Sequence, residues 1–252
     1  MAGPRVALFV TCLVDTFRPS VGFATARLLE AAGCRVDVPE TQTCCGQPAY
    51  NSGDRETARR MARAAIAAFE GYDYVVAPSG SCAAQVARDY PRLFPPGDPW
   101  AERAAALAGR TWEITAFLTD VLAVATVEAD AAGVTATYHD SCSGLRSLGV
   151  REQPRRLLAS AGVELREMAE SDVCCGFGDT FCVKYPDISN VMVADKIGHA
   201  AATGADLLLA GDLGCLMNMA GKARREGRSL QVRHVVEVLA GDLDTPAIGA
   251  AR

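Results

Sequence analysis

The spacing of its cysteines constrains this chain more than any other feature. Cys12 and Cys44 stand 32 residues apart, and so do Cys142 and Cys174. Each second cysteine opens a Cys-Cys-Gly triplet, Cys44-Cys45-Gly46 and Cys174-Cys175-Gly176. One more cysteine follows each triplet, Cys82 lying 37 residues after Cys45 and Cys215 lying 40 after Cys175. Asp73–Cys82 also aligns without a gap on Asp206–Cys215. An internal duplication is the economical explanation, so the chain is expected to fold one unit twice, over residues 1–127 and 128–252.

The hydrophobic patterns describe that unit. The run from Arg5 to Cys12 is continuously apolar, as in a strand buried on both faces of a parallel sheet, and the whole stretch Val6–Val14 reads as strand. Phe23–Ala32 reads as a helix closed by Gly33, Arg35–Pro39 as a second strand, Asp54–Glu70 as a helix and Tyr74–Pro78 as a third strand. The second half repeats the order, with strands at Val134–His139, Val163–Met168 and Asp206–Ala210 and helices at Pro154–Ala161, Asp187–Thr203 and Met217–Arg225. Between the halves, Ala101–Leu107 and Ile114–Ala125 carry helical periodicity. The fold class is therefore α/β: two Rossmann-like repeats related by a pseudo-twofold axis, each with a short parallel sheet.

In such a unit the cysteines fall just after the first, second and third strands, at the sheet edge where open α/β folds bind ligands. The environment of ten thiols matters to their chemistry. The apolar N-terminal stretch is short and runs into Asp15 without a small-residue cleavage site, and no stretch approaches the roughly 20 apolar residues of a membrane span. A cytoplasmic location is expected, where thiols stay reduced and cysteine clusters bind metal or carry redox chemistry. With 30 acidic and 25 basic residues the net charge is −5, which offers no footprint for nucleic acid or an anionic membrane.

Four thiolates per half suit either zinc or an iron–sulfur cluster. Structural zinc sites draw cysteines from knuckles spaced C-x₂₋₄-C, because adjacent side chains diverge. A cluster offers several iron corners, and two neighbouring thiolates leaving a tight turn can reach different irons, with Gly46 and Gly176 supplying the permissive backbone. The vicinal pairs thus favour a cluster, with a structural zinc protein as the alternative class. Neither G-x-G-x-x-G after the first strand nor G-x-x-x-x-G-K-[ST] occurs, so nucleotide binding has no warrant.

The pattern C-x₃₁-C-C-G-x₃₅-C, repeated as C-x₃₁-C-C-G-x₃₈-C, resembles the duplicated cysteine-rich CCG-domain family. That family includes the B subunit of heterodisulfide reductase, the iron–sulfur subunit of glycolate oxidase and lactate-utilisation proteins. The segments Cys44–Pro48, Pro78–Cys82, Tyr138–Cys142 and Cys174–Gly178 carry the likeness, which spans about residues 5 to 240 and is nearest to the lactate-utilisation members. It implies a cytoplasmic iron–sulfur electron-transfer subunit of a complex that oxidises L-lactate to pyruvate for growth on lactate, with other iron–sulfur subunits as partners. Heterodisulfide-reductase-like or glycolate-oxidase-like redox subunits are the alternatives. The implied ligands are Cys12, Cys44, Cys45 and Cys82 for one [4Fe–4S] cluster and Cys142, Cys174, Cys175 and Cys215 for another. The fullest form of the domain ends each repeat in C-x-x-C, but Ser79 and Asp212 stand at the first of those positions here. That leaves four thiolates per repeat, as for an ordinary cubane, or one with Asp212 as an oxygen ligand.

Cys182, seven positions after Cys175, is either an accessory thiolate or an incidental cysteine. Cys34 opens a strand and reads as core. His139, at the end of the fourth strand, can tune a centre or move a proton, or be a satisfied structural histidine. His199 and His234 lie in helical patterns with no spacing partner, and the basic run Lys222–Arg228 reads as a solvated helix end or a dock for an acidic subunit.

Overall fold

The computed structural model describes residues 3–250. Its first sheet contains β1 (Arg5–Leu8), β2 (Arg35–Asp37), β3 (Tyr74–Ala77) and β4 (Thr111–Glu113), all parallel, in the spatial order β2-β1-β3-β4. The second contains β5 (Thr135–Tyr138), β6 (Glu164–Leu165), β7 (Leu207–Ala210) and β8 (Gln231–His234), parallel again and in the matching order β6-β5-β7-β8. Two similar repeats fit the duplication seen in the sequence.

The central strands are apolar on both faces because helices cover both. Val6, Ala7, Leu8, Val75, Val76 and Ala77 are buried, as is every residue of β7. Against one face of the first sheet lies the helix Arg55–Phe69, begun by Asp54, whose carboxylate accepts from the Thr57 N–H at 3.0 Å. Its buried residues Ala58, Ala62, Ala65, Ile66 and Phe69 recur at helical spacing and pack with Ala7, Val75 and Ala77. The opposite face, with Val6 and Val76, belongs to a core that runs without interruption into the second half, through Val21, Leu29, Ile114 and Phe117 to Ala136, Leu157, Leu208 and Val236. Polar contacts join the halves too. Glu237, buried in the helix Val235–Leu239, accepts from Arg18 Nε at 2.8 Å and from Ser20 Oγ at 2.7 Å.

Several local expectations change. The apolar stretch Val6–Val14 is strand only to Leu8, and a helix, Cys12–Phe17, begins at the first cysteine. The second strand of the second repeat shrinks to Glu164–Leu165. Each sheet gains a fourth strand that the helical patterns concealed: β4 precedes short helical turns that end at Val121 rather than Ala125, and β8 carries His234 at its end, not inside a helix. In both places a three- or four-residue strand leads straight into a helix, so the strand's alternation is absorbed into a longer apolar period. The His234 side chain accepts from the Val236 N–H and starts the helix Val235–Leu239.

Candidate metal centres

The eight paired cysteines occupy equivalent places in the two repeats. Cys12 and Cys142 are the first residues of helices that follow β1 and β5. Cys82 and Cys215 stand third in the helices Gly80–Ala84 and Leu213–Arg225, after β3 and β7. The vicinal pairs sit in the loops after β2 and β6. Gly46 and Gly176 complete those turns with φ of 81° and 80°, a left-handed conformation costly to any residue with a Cβ. A Cβ on Gly176 would also come within 2.9 Å of the Ser189 carbonyl oxygen. All eight cysteines thus lie at the carboxyl edges of their sheets.

Within each repeat the four sulfurs touch in one sequence. Cys44 contacts both Cys12 and Cys45, and Cys45 Sγ lies 3.5 Å from Cys82 Sγ. Correspondingly, Cys174 contacts Cys142 and Cys175, and Cys175 contacts Cys215. So close together, they cannot all carry charge unaided. Hydrogen bonds from Cys12 and Cys45 hold the Cys44 thiol down to about 2, while the same contacts with burial push Cys12 and Cys45 up. Cys142 is pushed up by its hydrogen bond to Cys174 and by burial. A cationic centre removes that conflict by stabilising every thiolate at once, so this donor set fits a thiolate-bound metal or iron–sulfur group.

A cavity of about 230 Å³ opens beside the first group. Cys12, Cys44, Cys45 and Cys82 line it from the first repeat, while Phe177, Asp179 and Asp212 reach in from the second. Ser79 and Asp212, which hold equivalent positions in the duplicated pattern, meet here across the pseudo-twofold axis. Asp212 Oδ1 accepts from Ser79 Oγ at 3.0 Å and Ser81 Oγ at 2.7 Å, and Oδ2 accepts from the Ser81 N–H at 2.9 Å. Burial raises the Asp212 carboxyl, against these hydrogen bonds and one from Ser141. Its oxygens therefore tie together the helix starts that carry Cys82 and Cys142. Close by, Gly80 lets the two helices meet, since a Cβ there would lie 2.9 Å from Gly144 Cα.

His139 is inaccessible to solvent, and one of its ring nitrogens lies within 4.8 Å of the sulfurs of Cys175 and Cys215. Burial pushes its imidazole down to about 4. Next to it, buried Asp140 receives a bidentate pair from Arg155 at 2.8 and 2.9 Å, and Arg155 also reaches Glu167. Cys182 stands apart on the helix Phe181–Lys184, its thiol donating to the Asp179 carbonyl at 3.5 Å. Cys34 packs into the shared core, as its position predicts.

Nothing in the linear pattern points to the Ser79–Asp212 contact, to buried Glu113 at the end of β4, or to Asp179 and Phe177 reaching into the first cavity. Only the equivalence of Ser79 and Asp212 hinted at the first, because equivalent residues near a twofold axis can face each other.

Residues 6–87 and 136–220 each match the cysteine-rich domain family designated CCG. Over 237 residues the chain is 51% identical to a lactate utilization protein A of Geobacillus kaustophilus, covering 93% of this chain and 98% of that protein. It is 49% identical to a lactate utilization protein A of Shouchella clausii, with 93% and 98% covered. A lactate utilization protein A 2 of Bacillus cereus is 46% identical, with 95% and 99% covered. Among solved structures, a hypothetical protein from Helicobacter pylori shares the fold at a TM-score of 0.68 with 11% identity. All of this chain is covered there, and 55% of that larger one.

Proposed function

The chain belongs to the cysteine-rich CCG-domain family, and from that premise we propose that it is an iron–sulfur electron-transfer subunit of a lactate-utilisation system. The observation that carries this reading is the matched chain of sulfur contacts, Cys12–Cys44–Cys45–Cys82 and Cys142–Cys174–Cys175–Cys215, at the same edge of two equivalent sheets. Each set holds one cluster, of the [4Fe–4S] type. Bound clusters supply one-electron steps, whereas oxidation of L-lactate to pyruvate releases two electrons and two protons, so the chain relays electrons singly to the next carrier of a complex.

The protein's own groups make that relay compact. Gly46 and Gly176 turn adjacent thiolates apart, and Asp212 locks the helix starts of the two repeats, so the distance between the centres is fixed by buried hydrogen bonds. Further iron–sulfur subunits are the partners, in the cytoplasm; among the described residues no helix is long and apolar enough to cross a membrane. The experiment is deletion of the gene in its host. Growth on L-lactate should be lost and restored by the wild-type chain but not by Cys44→Ser or Cys175→Ser, with growth on glucose unchanged throughout. Full growth on lactate without the gene refutes the proposal.

A further inference from the structure

We infer that His139 is a nitrogen donor to the second centre, so that the two repeats carry different ligand sets: four sulfurs in the first, four sulfurs and an imidazole in the second. This rests on the reading of the eight cysteines as ligands and goes beyond it.

The backbone N–H of His139 donates to the Leu209 carbonyl at 2.8 Å, fixing the residue at the end of β5. Its Nδ1 lies 3.2 Å from the carbonyl oxygen of Ser171. A carbonyl only accepts, so Nδ1 carries the hydrogen and Nε2 presents a lone pair. Nε2 is buried and has no hydrogen-bond partner. Buried polar atoms are nearly always partnered, so an unpaired one points to a partner that the protein side chains do not supply. A ring nitrogen stands within 4.8 Å of Cys175 Sγ and Cys215 Sγ, which touch each other. An imidazole beside two sulfurs that gives one N–H to a backbone carbonyl and keeps its other nitrogen unpaired has the makings of a metal-binding histidine.

The first repeat has no counterpart. Three positions before its first cysteine, where His139 stands in the second repeat, it carries Phe9, fully buried with its ring 5.1 Å from that of Phe69. The duplication therefore diverged at the atom that distinguishes the centres.

The test is pulsed electron paramagnetic resonance on the reduced, cluster-loaded protein grown with ¹⁴N- or ¹⁵N-histidine. The labelled atoms belong to only three residues, His139, His199 and His234. His234 Nε2 is 3.1 Å from the Pro78 carbonyl, and His199 faces Glu170. A strongly coupled nitrogen that changes with the label is expected in the wild type. It should disappear in His139→Phe, the residue type of the first repeat. The wild-type labelling stands even where the variant misfolds. Iron and sulfide at both sites with no label-dependent coupling overturns the inference alone; a protein that takes up neither overturns the iron–sulfur reading and this inference with it.

Discussion

Glu113 turns the buried junction between the repeats into a measurable pH dependence. It ends β4 with 3% of its surface exposed, and its Oε2 accepts from the Thr115 N–H at 2.8 Å, Thr115 Oγ1 at 2.6 Å and the Ala116 N–H at 3.1 Å. Burial nevertheless wins over these bonds, and with the nearby Asp212 charge it lifts the carboxyl from its ordinary 4.5 to about 7. A carboxyl raised in the folded state binds more protons there than in the unfolded chain, so stability falls as pH rises from about 4.5 to about 7 and is level above. At about 1.4 kcal/mol per pH unit the loss amounts to about 3 kcal/mol, of which about 2.5 kcal/mol falls between pH 5 and pH 8. Glu113→Gln keeps an oxygen for the three donors and cannot ionise. Anaerobic guanidinium unfolding of both proteins, followed by circular dichroism at pH 5 and pH 8, cancels every other titrating group in the comparison. The variant should gain about 2.5 kcal/mol on the wild type as pH rises. A difference between the two proteins that stays constant with pH refutes the account of Glu113 as a buried acid.

Two further outcomes follow from the buried contacts. Arg155→Met should destabilise the fold by about 3–5 kcal/mol in the same unfolding assay, because it strands the inaccessible Asp140 carboxylate. Adding Asp140→Asn should recover much of that loss. Gly80→Ala drives a Cβ to 2.9 Å from Gly144 Cα and should cost about 1–3 kcal/mol, measured by thermal unfolding, with lowered iron content because Cys82 and Cys142 ride on the two helices forced apart.

The repeat, its parallel sheets and the gathering of the cysteines at one edge were legible because they depend on spacing and on two-sided apolar strands, both visible in a linear pattern. The left-handed turns at Gly46 and Gly176 were legible for a similar reason, since only glycine suits them. What stayed hidden depends on the pairing of distant segments. β4 and β8 are too short to show a period against the helices they enter. Asp212 meets Ser79 only once the repeats dock, so a residue that reads as a replaced ligand is also a hydrogen-bonded bridge. His139 is a similar case. In sequence it is one histidine before a cysteine, and only the fold shows its unpartnered Nε2 and a ring nitrogen within 4.8 Å of Cys175 and Cys215.

Iron and acid-labile sulfide content after anaerobic purification and reconstitution tests the central claim most directly. Two [4Fe–4S] centres require about eight iron and about eight sulfide per chain. Replacing Cys44 and Cys45 together by serine should remove about half of each, and replacing Cys174 and Cys175 should remove the other half. Stoichiometric zinc without sulfide, or iron content indifferent to both double replacements, contradicts it.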